Sequence, residues 1–400
     1  MRLARTSGQG RMTIKSAAPG RILPEPQHAG VPTGVPAIET GVVGGLELDA
    51  LMAPLKARWP SGRVAVALSG GVDSAMLAVV ADRYARGCGA DLLLLHVHHG
   101  LLPQADAWAT HVATLGRLID RPVQVLHVDV DPGAGRGMEA AARDARYDAL
   151  LQACKDYDIG TLLLAHHQDD QAETVLLRLL RGAGVAGMAA MRAQTTRAGV
   201  ELLRPWLAVP RARILAFAEV FAHATGWRAV QDPTNADPRY TRAAVRTQLT
   251  PVLNARWPGW QAIVGRHARQ AQEAATILDE VAQADFALIT TQRGQGSVEA
   301  GPESESEHGL EVFSLAAWRT LSAARQRNVL RHWLARLGAR MPSDARLANL
   351  QRQLMQLHSL GHDRNLTVDH GEFRIRCVRG IVMAEQHATL PTRKKTQSEP

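Results

Sequence analysis

Between residues 63 and 180 the chain repeats one pattern four times: a short, mostly apolar run, then a longer stretch with helical spacing. The runs are 63–68 (RVAVAL), 91–97 (DLLLLHV), 123–130 (VQVLHVDV) and 161–165 (TLLLA), and the stretches behind them lie at 75–86, 105–119, 138–157 and 170–180. A strand that is apolar at consecutive positions, rather than at alternate ones, buries both of its faces. With a helix after every strand, that burial requires a parallel sheet covered on both sides. The expected fold class is therefore α/β, a doubly wound parallel sheet, and ligands of such sheets bind outside the carboxyl ends of the strands.

The turn behind the first strand reads Ser69-Gly70-Gly71-Val72-Asp73-Ser74 and runs straight into a helix. A strand, a glycine-rich turn and a helix N-terminus present free backbone N–H groups and the positive end of a dipole, which together cradle phosphates. Gly70 and Gly71 let the backbone approach an anion closely and take up positive φ. Ser69 and Ser74 add hydroxyl donors, and Asp73 supplies a carboxylate able to hold Mg²⁺. This turn lacks the G-x-x-x-x-G-K-[ST] pattern, so no loop lysine reaches a γ-phosphate, and it also lacks G-x-G-x-x-G, which argues against a dinucleotide fold. The turn resembles the PP-loop, S-G-G-x-D-S, of the ATP pyrophosphatases. That resemblance implies a site that holds the β- and γ-phosphates as a leaving group and transfers AMP to a carbonyl-type oxygen.

Further matches narrow the resemblance. The second strand ends in His96-Val97-His98-His99-Gly100-Leu101, the third helix carries Glu139, Arg143, Arg146 and Tyr147, and the fourth strand runs into His166-His167-Gln168-Asp169-Asp170-Gln171-Ala172-Glu173-Thr174. Glu139 and Arg143, four apart on a helix, also fit an ordinary surface pair. The cluster of His, Asp and Glu at a strand's carboxyl end reads either as a metal site or as a carboxylate pocket for a cationic substrate. These segments are similar to the HVxHGL, E-x-x-A-R-x-x-R-Y and H-H-x-D-D-Q-x-E-T signatures of the tRNA(Ile)-lysidine synthetases. The loop from Arg181 to Met188, Arg204-Pro205 (with Trp206 where the family has Leu), Asp232-Pro233-Thr234-Asn235 and Tyr240-Thr241-Arg242 extend the likeness. Ala243 replaces a family Asn, while Arg242 and Arg246 remain.

The resemblance implies a two-step reaction. Mg²⁺ and ATP lie on Ser69, Gly70, Gly71, Val72, Asp73 and Ser74 with His96 nearby, and the wobble cytidine of a tRNA(Ile) with a CAU anticodon is adenylated. Free L-lysine then displaces AMP. Asp73, Arg146, His166, Asp170 and Glu173 are the catalytic candidates, with Asp73 on the metal and Asp170 and Glu173 on lysine. Arg143, Arg181, Arg204, Arg242 and Arg246 are the candidates for substrate contact. The rivals are a PP-loop tRNA thiolase, which would carry catalytic or cluster-binding cysteines, and a non-enzymatic adenine-nucleotide-binding protein.

Composition bears on partner and compartment. The net charge is +8, and of 46 basic residues five are lysine and 41 arginine, a choice that suits bidentate phosphate contacts but also follows from a codon bias. Cys88, Cys154 and Cys377 stand alone with no C-x-x-C, which argues against a disulfide scaffold, a zinc ribbon or a cysteine-held cluster and fits reduced thiols in the cytoplasm. No apolar run is long enough to span a membrane.

The expected domains are a disordered extension, 1–45; a PP-loop catalytic domain, 46–230; and a helical tRNA-binding segment, 231–292. A linker, 293–309, leads to a small α+β tRNA-binding domain, 310–387, and a loose tail, 388–400. Within the last domain a helix is expected over 315–337 and another over 344–357, followed by strands at 366–369 and 373–378. Basic charge outside the sheet domain concentrates in 204–246, with seven arginines against three acids, and again in the C-terminal domain, with twelve arginines in 313–384.

Overall fold

The structure, a computed structural model, describes residues 42–100, 104–128, 138–230, 237–291, 312–357 and 366–386. The 232–235 motif, the 293–309 linker, the tail 388–400, residues before 42 and the Glu139 side chain lie outside the described residues. The chain divides into two compact units between Gln272 and Glu273.

In the first unit the elements run α1 (Val42–Lys56), β1 (Val64–Ala67), α2 (Val72–Cys88), β2 (Leu92–His98), α3 (Ala105–Leu118), β3 (Val123–His127), α4 (Met138–Asp156), β4 (Thr161–Leu163), α5 (Gln168–Leu180) and α6 (Val185–Met188). They continue with β5 (Gln194–Arg197), β6 (Val200–Leu203), α7 (Arg211–Thr225), α8 (Thr241–Ala244), a π-helical turn Val245–Leu249, α9 (Thr250–Arg256) and α10 (Trp260–Thr291), the helix in which the division falls. The sheet order is β3-β2-β1-β4-β6-β5, parallel throughout except for β5, which pairs antiparallel with β6 at the edge.

The expected parallel sheet is thus present, extended by a hairpin that the apolar-run pattern did not reveal. Its strands are four residues each, and Ala198 (φ 50°) and Gly199 (φ 83°) form its two-residue turn with both residues left-handed, as primed hairpin turns require. Side chains alternate between two cores: Val64, Val66, Leu92 and Leu94 face α1, α2 and α7, whereas Ala65, Leu95 and Leu162 face α4. Because strand order reverses between β1 and β4, the turns leaving those two strands diverge and open a crevice at their carboxyl ends.

Helix α1 begins inside the stretch expected to be disordered and is held by the core. Leu51 and Leu55 are fully buried, and the Leu51 carbonyl accepts the indole N–H of Trp206 at 2.9 Å. Trp206, standing where the resembled motif has Leu, is itself fully buried.

The second unit is an antiparallel sheet, β7-β10-β9-β8, with helices packed on it. Its elements are β7 (Phe313–Ser314), α11 (Leu315–Arg319), α12 (Ala323–Arg336), α13 (Asp344–Gln356), β8 (Leu366–His370), β9 (Phe373–Val378) and β10 (Ile381–Gln386). Phe313, Trp318, Trp333 and Leu354 centre its core. The single helix expected over 315–337 is two helices. Ser314 and Ser322 each accept a backbone N–H three residues on, from Ala317 and Arg325, and a serine hydroxyl in that role caps a new helix instead of continuing the old one.

Trp206→Ala should destabilise the first unit by about 3–5 kcal/mol, and Trp206→Phe by roughly 1–3 kcal/mol, since the latter keeps most packing but loses the buried hydrogen bond to the Leu51 carbonyl. Urea unfolding followed by circular dichroism measures both; equal losses for the two variants would show that the indole hydrogen bond contributes nothing.

Candidate active site

A cleft of about 1150 Å³ opens at the carboxyl ends of β1, β2 and β4, and α4, α7 and residues 227–230 and 240–247 complete its walls. Its floor is the turn between β1 and α2. Gly70 takes φ +90°, a conformation that favours glycine, and a Cβ there would stand 3.1 Å from Val112 Cγ2, a tight contact. The Gly70 carbonyl accepts the Val230 N–H at 3.1 Å, which ties the segment behind α7 to the turn.

The two serines brace the turn internally. Ser74 Oγ donates to the Gly71 carbonyl (3.0 Å) and accepts the Ser69 N–H (3.1 Å), while Ser69 Oγ lies 2.9 Å from Ser74 Oγ and accepts the Gly71 N–H at 3.3 Å. What the cradle offers an anion is therefore mainly backbone: the N–H groups of Val72, Asp73 and Ser74 in the first turn of α2, which have no acceptor within the helix. His96, at the end of β2, is buried and donates from Nδ1 to the Leu68 carbonyl at 2.8 Å. Burial, opposed only by that hydrogen bond, holds its pKa below the ordinary value, so its other ring nitrogen is a lone pair at the cleft.

Asp73 does not sit at an open, solvent-facing turn. Its carboxylate receives Arg211 at both oxygens (Nε at 3.2 Å, Nη2 at 3.3 Å), with His167 Nε2 at 3.7 Å. Burial alone would raise its pKa, but the hydrogen bond and charge of His167 and the charge of Arg211 outweigh it and hold the carboxyl below its usual range.

His167 caps α5. Its Nδ1 accepts the Asp170 N–H at 3.3 Å and Asp170 Oδ2 accepts the His167 N–H at 3.2 Å, a reciprocal box that starts the helix two residues before the apolar pattern does. With Nδ1 accepting, the ring proton lies on Nε2, 3.3 Å from Asp170 and facing Asp73. Burial lowers the affinity of this ring for a second proton, but Asp73, Asp170 and Asp169 around it more than compensate, and the net direction is upward.

Glu173 is a second layer, not a wall of the cleft. Its side chain is 5% exposed, and Arg246 covers it with two 2.8 Å hydrogen bonds. Arg246 also stands 3.5 Å from Asp170, which does line the cleft, and Arg242 donates to Thr174 Oγ1 at 3.0 Å and lies 3.6 Å from Glu173. The carboxylates expected to receive a cation and the arginines expected to receive tRNA are thus partners of one another.

His166 lines the cleft with a buried, unpartnered Nδ1. Burial first, then the charges of Arg204, Arg143 and Arg242, lower its pKa to about 4 against the opposing pull of Asp170. His99 is likewise lowered to about 4 by burial and by Arg146, whose Nε donates to His99 Nε2 at 3.3 Å. Arg143 and Arg146 both line the cleft, and Arg143 lies 5.6 Å over the Tyr147 ring. Arg181 and Arg204 do not line it. Arg181 is the exposed C-cap of α5, and Arg204 is buried, donating to the Arg192 carbonyl and Thr195 Oγ1 to hold the β5–β6 hairpin.

Sequence reasoning missed Arg211 and His167 as site residues. His167 sits inside the quoted motif, and the cue for Arg211 is a Pro-Arg pair opening a helix, 138 residues from its partner. Among the described residues no group of three or more His, Cys, Asp or Glu could hold a metal ion, and no helix is long and apolar enough to cross a membrane.

A glycine-turn anion cradle at the switch point of a doubly wound sheet, with acid and imidazole groups on the neighbouring strand, defines a nucleotide-binding protein of the PP-loop class. The model of the PP-loop domain matches residues 46–253, and that of the TilS substrate binding domain matches 313–383. The chain is 58% identical to the tRNA(Ile)-lysidine synthase of Bordetella pertussis strain Tohama I over 333 residues, 83% of this chain and 99% of that protein. It is 58% identical to the Bordetella bronchiseptica strain RB50 protein of the same name (82% of this chain, 92% of that one) and 47% identical to that of Ralstonia nicotianae strain GMI1000 (73% and 58%). The chain belongs to the tRNA(Ile)-lysidine synthase family.

His99 and His166 carry depressed pKa values near 4 against 6.5 for a free imidazole, so the unfolded chain binds more protons than the folded one across that interval. The stability these two residues contribute should be fully present above pH 6.5 and decline as pH falls toward 4. His99→Gln should flatten that decline, read as urea midpoints at pH 7, 6 and 5; slopes identical to wild type would contradict the assignment.

Proposed function

We propose that the protein ligates L-lysine to C2 of the wobble cytidine in the CAU anticodon of tRNA(Ile), converting ATP to AMP and pyrophosphate and forming lysidine. The observation that carries this reading is the convergence of the phosphate cradle of residues 69–74 with His166, His167 and Asp170 on one cleft, in a chain 58% identical to tRNA(Ile)-lysidine synthases.

In the first step the cytidine O2 attacks the α-phosphorus of ATP, and pyrophosphate departs from the cradle. The helix-terminal N–H groups stabilise the charge that develops there. The Mg²⁺ that this chemistry uses would neutralise phosphate charge; a hard cation that keeps several waters and takes one or two carboxylates fits Asp73, whose oxygens Arg211 must then yield. In the second step the lysine ε-amine attacks C2 and the C2–O bond to AMP breaks. Asp170 faces the cleft and orients the ammonium; His166, held neutral, presents a lone pair to the proton that the nitrogen loses. Glu173 acts through Arg246 and Arg242, presenting both arginines to the tRNA.

In this reading 46–230 is the catalytic domain, 231–292 and 310–387 grip tRNA, and the compartment is the cytoplasm. On the cleft wall Arg228, Arg242 and Arg246 face a polyanion, which suits an anticodon loop whose target base must be splayed from its stack.

The two steps separate by mutation. Asp170→Asn should keep single-turnover, tRNA-dependent AMP formation within about threefold while raising the KM for lysine by roughly tenfold or more, the worth of one hydrogen bond to a charge. Arg242→Ala should lower turnover at saturating tRNA. Measured with labelled ATP and labelled lysine, an unchanged lysine KM in the Asp170 variant would remove Asp170 from the lysine site, and release of ADP plus phosphate by the wild type would end the adenylation reading.

A further inference from the structure

The loop of residues 69–74 has no lysine, yet the pyrophosphate it would release carries several charges. Among the described residues, the cation bonded to that loop is Arg211. The other arginines lining the cleft meet other groups: Arg143 lies over the Tyr147 ring, Arg146 bonds His99, Arg228 pairs with Glu219, and Arg242 and Arg246 bond Thr174 and Glu173.

The backbone of Arg211 is anchored while its guanidinium is not. Arg211 is the first residue of α7, behind Pro210, and its N–H donates to Asp169 Oδ2 at 3.0 Å; one turn away Gln168 N–H donates to the Val209 carbonyl at 3.0 Å. The side chain then spans to Asp73 with contacts of 3.2 and 3.3 Å, and the two side chains are 33% and 24% exposed. Charge-assisted bonds of good geometry are nearer 2.7–2.9 Å. The Arg246–Glu173 pair in the same cleft meets that mark at 2.8 Å twice, on a carboxylate only 5% exposed. Of the two pairs, the one at the phosphate cradle is looser and wetter, and therefore the cheaper to exchange.

A guanidinium on both oxygens of Asp73 and a metal ion on the same carboxylate exclude one another. A metal–nucleotide complex resolves the conflict without stranding a charge, because Asp73 trades an arginine for the metal and Arg211 trades a carboxylate for phosphate. We propose that Arg211 is the phosphate-binding cation of this site, stored on Asp73 and transferred to the β- and γ-phosphates when metal and ATP enter. There it stabilises the departing pyrophosphate. The inference rests on the ATP-cleaving reading above and names the residue that serves its leaving group.

The test uses the full chain with neither tRNA nor lysine, and three probes: ATP with Mg²⁺ and AMP by titration calorimetry, and Mn²⁺ alone by electron paramagnetic resonance. Arg211→Met should weaken binding of ATP with Mg²⁺ about tenfold or more, the worth of a hydrogen bond to a charged group. AMP, which lacks the β- and γ-phosphates, should bind as in wild type, and Mn²⁺ alone should bind more tightly because Asp73 is released. Arg211→Lys should recover part of the ATP affinity. Changes of opposite sign for metal and nucleotide are something a merely structural arginine would not produce. Equal losses for ATP and AMP, unchanged ATP affinity, or Mn²⁺ binding that fails to strengthen would each overturn the proposal and leave lysidine formation standing. A wild-type protein that binds no ATP would instead remove the nucleotide reading itself.

Discussion

A partly buried charge must meet its opposite, and at the carboxyl ends of β1 and β4 that requirement organises the site. The polar groups form one connected chain: Arg211, Asp73, His167, Asp170, Arg246, Glu173, Arg242, with His167 between the carboxylates of Asp73 and Asp170. Each carboxylate in it meets an arginine, so none is buried without an opposite charge. Breaking a link frees a charge toward the cleft, and in the proposed reaction that is how a site assembled from internal ion pairs would meet phosphate, ammonium and RNA.

The fold supplies the places where such a chain is tolerated. Asp73 belongs to the helix leaving β1, and His167, Asp170 and Glu173 to the helix leaving β4, the two adjacent strands at which sheet order reverses. Arg211 opens the helix that follows β6. The hairpin at the sheet edge, the buried Arg204 that fastens it and the Trp206 bond to α1 fix that helix start in place. Arg204, expected to contact substrate, instead holds the scaffold through the Arg192 carbonyl and Thr195 Oγ1.

Local pattern made the strands, the phosphate turn and the His-Asp-Glu cluster legible, because each is written in consecutive residues with a period or a spacing of its own. Pairings were not legible. Asp73 and Arg211 are 138 residues apart, and Glu173 and Arg246 are 73 apart; nothing local distinguishes an arginine destined for a carboxylate from one destined for a phosphate. The same limit explains Glu173, whose position beneath Arg246 follows from tertiary packing and not from its spacing to Asp170. The strands β5, β6, β7 and β10 were not among the runs read from the sequence, and the break between α11 and α12 turned on one serine hydroxyl.

The central claim, that cradle and carboxylate cluster serve one two-step reaction on a tRNA base, is tested most directly on the RNA. Unmodified tRNA(Ile) with a CAU anticodon is incubated with the full chain, ATP, Mg²⁺ and isotopically labelled lysine, then digested to nucleosides and examined by mass spectrometry. The account requires the wobble cytidine to be replaced by a nucleoside carrying the labelled lysine, with one AMP formed per base converted. An unmodified cytidine alongside ATP turnover, or label on any other nucleoside, would contradict it.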